Sequence, residues 1–161
     1  MKRFSVICAL LALALPVASS ARPGAPGDGS LVVRNGAGKV GLLQTRGGAI
    51  GHFADGLLVV RDFNPDDGVE AVVTGAEHTH VINDQVTRYS GHDVRFRFIG
   101  GKFTITVTGA GIDLSAVGKG TVLLAGDKTV DDDGTFSLNG SAPQPISIVP
   151  QTFTLGTPAS G

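Results

Sequence analysis

The chain has 161 residues, 13 Lys and Arg against 14 Asp and Glu for a formal charge of −1, and one cysteine, Cys8. So even a balance gives no electrostatic drive toward nucleic acid or an anionic membrane surface, and one cysteine excludes an intrachain disulfide framework. With no Trp and only Tyr89 among tyrosines, few exposed aromatic faces remain for sugars or single-stranded nucleic acid.

The chain opens with Met1-Lys2-Arg3, a short basic region, followed by an apolar run from Phe4 to Ala18 and the small residues Ser19-Ser20-Ala21. That order predicts a secretory signal peptide over 1–21, with an apolar run too short to span a bilayer. Cys8 would leave with it. The mature chain would hold about 140 residues, no cysteine, and 11 basic against 14 acidic residues, enough for one domain with a sizeable core. It is expected outside the cytoplasmic membrane, secreted, periplasmic or on the cell surface, with no transmembrane segment and with a cell-surface or extracellular partner. Residues 22–29 read as a flexible linker, 30–156 as one domain, and 157–161 as a flexible tail.

Beyond the leader, Val, Ile, Thr and Phe alternate with polar residues, which is strand periodicity, and the 24 glycines fall between the strands as turn punctuation. In chain order, Leu31 to Thr45 reads as two strands joined at Ala37-Gly38. Ala49–Phe53, Leu57–Phe63, Gly68–Thr74 and Gln85–Tyr89 follow as strands. His92 to Thr108 reads as a hairpin closed by Gly100-Gly101, with Phe98 opposite Phe103, Phe96 opposite Ile105, and Val94 opposite Val107. Ile112–Val117, Thr121–Ala125, Gly134–Leu138 and Gln151–Leu155 complete the series.

The series repeats. A shift of 63 positions lays Arg34 on Arg97, Gly38-Lys39 on Gly101-Lys102, Thr45 on Thr108 and Gly48 on Gly111. Slightly longer shifts lay Asp66-Asp67-Gly68 on Asp132-Asp133-Gly134 and Gln85 on Gln151. The expected fold is all-β, an antiparallel sandwich or flattened barrel of about 10–12 short strands. It would be built from two tandem, pseudo-twofold-related copies, about 30–91 and 93–156, that share one core; a short β-solenoid is the alternative.

Three groups of residues carry possible chemistry. His78 and His80, at i and i+2, point to one face of a strand and suit zinc or copper, with Glu77, Asp84 and His92 as further donors. Their aligned positions in the second copy are Pro143 and Pro145. Asp62, Asn64 and Asp66 place oxygens at alternate positions as calcium loops do, although the glycine comes one place late and no Glu follows at the twelfth position. Ordinary turn chemistry explains the same residues. Arg95 and Arg97, joined by Arg88 and Lys102, form a basic strip suited to a carboxylate or sulfate. No Gly-x-Ser-x-Gly elbow or His-Glu-x-x-His helix is present. The function expected is binding or scaffolding by an exported, non-catalytic β domain. The alternatives are a small-ligand carrier with a pocket between the copies, and a metal- or calcium-dependent protein, possibly an enzyme.

Overall fold

The computed structural model describes residues 27–157; the leader expected over 1–21 and the greater part of the linker and tail lie outside them. The described chain is all-strand, without helix, and every pairing in it is antiparallel. Two elements dominate: β1 (Gly29–Asp62) with 34 residues and β4 (Val86–Ala125) with 40. The short strands are β2 (Val72–Thr74), β3 (His78–Asn83), β5 (Thr135–Leu138), β6 (Gln144–Pro145) and β7 (Gln151–Leu155).

β1 and β4 bend repeatedly, and successive segments change partners. Val40, for example, pairs with Val107 on one side and Leu124 on the other, whereas Ala49 pairs with Phe98 and Ala116. Following neighbours across the hydrogen bonds gives two rows. One runs β6, β5, 29–34, 112–118, 48–53, 94–99, β2. The other runs β7, 119–125, 39–46, 102–109, 55–62, 86–92, β3. Both rows end on unpaired edges. The sheet is therefore not closed, which sets aside the barrel, and antiparallel ladders replace the parallel stacking of a solenoid's coils.

The two expected hairpins are absent. Phe96 pairs with Gly51 and Val73, and Ile105 pairs with Leu42 and Val60, so the chain runs through Gly100-Gly101 from one row into the other. Phe98 and Phe103 still meet, with ring centroids 4.4 Å apart, but they come from different rows. Alternation fixes which face a side chain occupies. It does not fix which strand lies alongside.

Inward residues of both rows belong to one apolar cluster that includes Leu31, Leu42, Phe53, Leu58, Val94, Phe98, Phe103, Ile105 and Ile112. Each such side chain contributes about 1.5–3 kcal/mol by leaving water. Thr45 is the one buried polar side chain among the described residues, and its hydroxyl donates to the Leu43 carbonyl at 3.4 Å.

Glycine makes the bends possible. A Cβ on Gly47 would lie 2.1 Å from the Val117 carbonyl oxygen, and one on Gly118 2.1 Å from that of Arg46. Gly56 and Gly109 face each other in the same reciprocal way, at 2.3 and 2.1 Å from the Thr108 and Asp55 oxygens. All four have φ between 145° and 155°, which only glycine adopts readily. At these two points bare backbone of β1 lies against bare backbone of β4. Gly27 and Thr157, at the two ends of the described chain, also meet: the Thr157 amide donates to the Gly27 carbonyl at 2.7 Å.

Candidate functional site

Because Leu114, Phe96, Ala49 and Phe53 point inward, their neighbours Asp113, Ser115, Arg95, Arg97, Ile50 and His52 point outward. The register sets these outward residues in two lines across the sheet. One is Val72, Arg97, Ile50 and Ser115; the other is Thr74, Arg95, His52 and Asp113. Together with Arg34 they line an open groove of about 410 Å³. Its floor carries Ile50, which is 56% exposed.

Three arginines and one aspartate line this groove. His52 Nε2 lies 2.7 Å from Asp93 Oδ1, which is also 3.5 Å from the Arg95 guanidinium. Arg34 stands 4.0 Å from Asp113. Arg97 lines the groove without an acidic partner among the described residues, so its guanidinium is available to an anionic ligand. Of the expected basic strip, Arg95 and Arg97 are here. Arg88 lies opposite His80 on the other row, and Lys102 stacks its ammonium 4.9 Å from the Phe63 ring centroid.

The expected metal donors fall into separate places. His78 and His80 lie on β3, exposed, opposite Ser90 and Arg88. Glu77 and His92 do come together: His92 Nδ1 is 2.9 Å from Glu77 Oε1, and its Nε2 is 3.6 Å from Asp55 Oδ1. The two acids engage opposite nitrogens of one ring, so the three groups do not converge on a single ion. Among the described residues no group of three His, Cys, Asp or Glu side chains is placed to hold one.

That bridge sets a pH dependence. The hydrogen bond to Glu77 raises the His92 pKa above 6.5, helped by the charges of Glu77 and Asp55, and the same bond lowers the Glu77 pKa below 4.5. The raised His92 stabilises the folded chain at low pH, and its contribution is lost as the pH rises through the folded value. The lowered Glu77 contributes above its ordinary range and is lost as the pH falls. The bridge is at full strength between pH 4.5 and 6.5. In an NMR titration Glu77→Gln is expected to bring the His92 midpoint down toward the ordinary imidazole value. An unchanged midpoint would refute the bridge.

The acidic turns hold their own backbone. Asp62 Oδ1 accepts from the Asn64 amide at 2.8 Å, and Asp67 Oδ1 from the Val69 amide at 2.9 Å, while Asp66 is exposed. Asp62 and Asp84 also line a second, 220 Å³ cavity beside Glu70 and Tyr89. In the acidic turn before β5, Asp132 Oδ1 accepts from the Gly134 amide, and Asp133 Oδ1 from the Asp127 amide. The Asp127 pKa is lowered by hydrogen bonds from the Thr129 amide and hydroxyl.

No protein-family model, curated protein or solved structure matches the chain. Arg34 and Asp113 on the groove's far side, and His52 on its floor, carry no motif in the sequence; the alignment of Arg34 with Arg97 is the one signal there that points to them.

Proposed function

We propose that the chain is an exported, non-catalytic binding domain, made of two tandem copies packed as a two-layered sandwich, whose outward groove takes an elongated acidic ligand. Export rests on the composition of residues 1–21. The duplication is supported by the ladders. Moving one partner up 63 positions and the other down 63 turns the pair Val33 and Leu114 into Phe96 and Gly51. The same operation turns Val33 and Phe136 into Phe96 and Val73. A shift of 64 turns Leu58 and Tyr89 into Val122 and Phe153. Two pairs, Leu42 with Ile105 and Gly51 with Leu114, map onto themselves, so a pseudo-twofold axis would pass through both. Contact between Phe98 of one row and Phe103 of the other supports two layers face to face.

The observation that carries the functional reading is the pair of equivalent arginines, Arg34 and Arg97, on opposite flanks of the groove. Two strands separate the segments that bear them, and Arg97 lies two residues along from the line of Arg34, which puts their backbones roughly 16 Å apart. Between them lies exposed Ile50, and the axis pair Gly51 and Leu114 sits at the groove's centre. This arrangement suits a ligand with acidic groups at both ends and an apolar middle, because guanidinium forks hold carboxylate or sulfate in two-pronged geometry. The space between the layers is occupied by Phe53, Phe98, Phe103, Leu42 and Leu58, which favours the outward groove over an interior carrier pocket.

The test is a titration of isotopically labelled protein with a long α,ω-dicarboxylate and with a monocarboxylate of half its length. The dicarboxylate is expected to shift the amides of 50–52, 95–97 and 113–115 and to bind at least about tenfold more tightly, since each charged hydrogen bond is worth about 1.5–3 kcal/mol. Arg97→Ala is expected to remove that advantage, and added salt to weaken it. Shifts elsewhere, or equal binding by Arg97→Ala, would overturn the proposal.

A further inference from the structure

Among the described residues β3 is an edge strand, paired with β4 on one side only. All six of its residues are exposed, Val81 at 65% and Ile82 at 51%. Soluble proteins usually blunt such an edge with Lys, Pro or extreme shortness. Two other edges of this molecule follow that rule: β2 has three residues, and β6 has two, one of them Pro145. β3 has six residues without Lys or Pro, and its one irregularity, a register shift between Val81 and Asn83, falls after the histidines. It carries His78 and His80 instead, residues that are charged only when protonated.

Both histidines lie on the outward face. They stand opposite Ser90 and Arg88, which stand in turn opposite Leu57 and Val59, and these alternate with the buried Leu58 and Val60. The sequence His78-Thr79-His80 is a palindrome. An antiparallel twofold pairing centred on Thr79 would therefore set every histidine opposite a histidine.

We infer that two copies of this chain join β3 to β3 in that register and bind one zinc ion between the four imidazoles of His78 and His80. Opposed residues in an antiparallel pair have Cβ atoms about 5 Å apart. Alternate residues of one strand are separated by about 6.8 Å. The four imidazoles thus rise from the corners of a small rectangle and converge above its centre, with zinc–nitrogen bonds of about 2.0–2.1 Å. One chain supplies two ligands, so the site is incomplete without the second copy. The same register sets Ile82 opposite Ala76 of the other copy and covers part of the exposed apolar edge.

Two charges border the site. Glu77 precedes His78 and is held by His92, and Arg88 stands beside His80 on a stem long enough to turn its guanidinium outward. Pro143 and Pro145, the aligned positions in the second half of the sequence, take no such place: Pro145 lies on β6 against β5 in the other row, where its missing N–H refuses a new strand. A self-complementary register uses the same edge of both copies, so the β3 pairing closes on itself as a dimer.

The test uses untagged protein in light scattering coupled to size exclusion, with zinc and with a chelator, alongside zinc titration calorimetry. The expected result is monomer in chelator, dimer in zinc, and one zinc for every two chains. His78→Ala and His80→Ala are each expected to abolish the zinc-dependent dimer and weaken zinc binding at least tenfold. Thr79→Pro is expected to block strand pairing with both imidazoles still present. A dimer that persists in chelator, zinc bound one per chain without dimerisation, or zinc-linked dimers of His80→Ala would each overturn the inference, as would no zinc binding at all.

Discussion

Gly118→Ala is expected to cost this fold at least about 3 kcal/mol, a large share of the 5–15 kcal/mol that holds a typical domain folded. Its φ is 151°, and the added methyl would lie 2.1 Å from the Arg46 carbonyl oxygen and 2.9 Å from Gly47 Cα. Neither neighbour is a side chain that can turn away. Relief requires β1 and β4 to part where they cross, and Gly47 pairs with Gly118 in the middle of their ladder. Gly140→Ala is the matched control. Its φ is 74° with nothing within 4 Å of the added methyl, so it reports the left-handed backbone alone, about 1–2 kcal/mol. Urea unfolding followed by far-ultraviolet circular dichroism gives both values. Equal losses for the two variants would mean that the crossing contact does not constrain the fold.

These crossings explain what the sequence could and could not convey. The in–out phase was legible throughout: Val94, Phe96, Phe98, Phe103, Ile105 and Val107 are all buried, as their alternation requires. Glycine positions were legible as places where the chain changes direction. The kind of turn was not. Gly100-Gly101 is as good a residue pair for a two-residue hairpin as for a corner between rows, because both need positive φ, here 100° and 65°. What decides between them is the set of distant strands waiting alongside. Phe96 pairs with Gly51 and Val73, 45 and 23 positions away, and no local signal records such a partner.

The candidate sites divide in the same way. Arg95 and Arg97 could be found because they sit on one strand at period two. His52, Asp113 and Arg34 could not be joined to them without the register between β1 and β4. Nearness in sequence groups Glu77 and His92 with His78 and His80. The structure turns the His92 ring toward Glu77 and Asp55, leaving His78 and His80 on an edge by themselves. The acidic turns needed no fold to be read. Asp62 and Asp67 each bond an amide two residues on, which is what Asp does in turns of any architecture.

The second large effect is expected at Phe103. The side chain is fully buried and meets Phe98 of the other row at 4.4 Å between centroids. Phe103→Ala should lose about 3–5 kcal/mol through lost transfer energy and the cavity left behind. At about 4 °C per kcal/mol for a domain of this size, melting falls by about 12–20 °C. Ile99→Ala is the control four residues earlier, 59% exposed, and should stay within about 0.5 kcal/mol of the parent. The pattern of the loss matters more than its size. If one core joins both rows, Phe103→Ala must weaken the amides of 94–99 as much as those of 103–109, although these segments share no hydrogen-bond ladder. Hydrogen exchange should then show both segments opening with the same reduced free energy. Protection retained over 94–99 while 103–109 opens would separate the rows into independent units. A groove walled by Arg95 and Arg97 would then owe nothing to the packing beneath it.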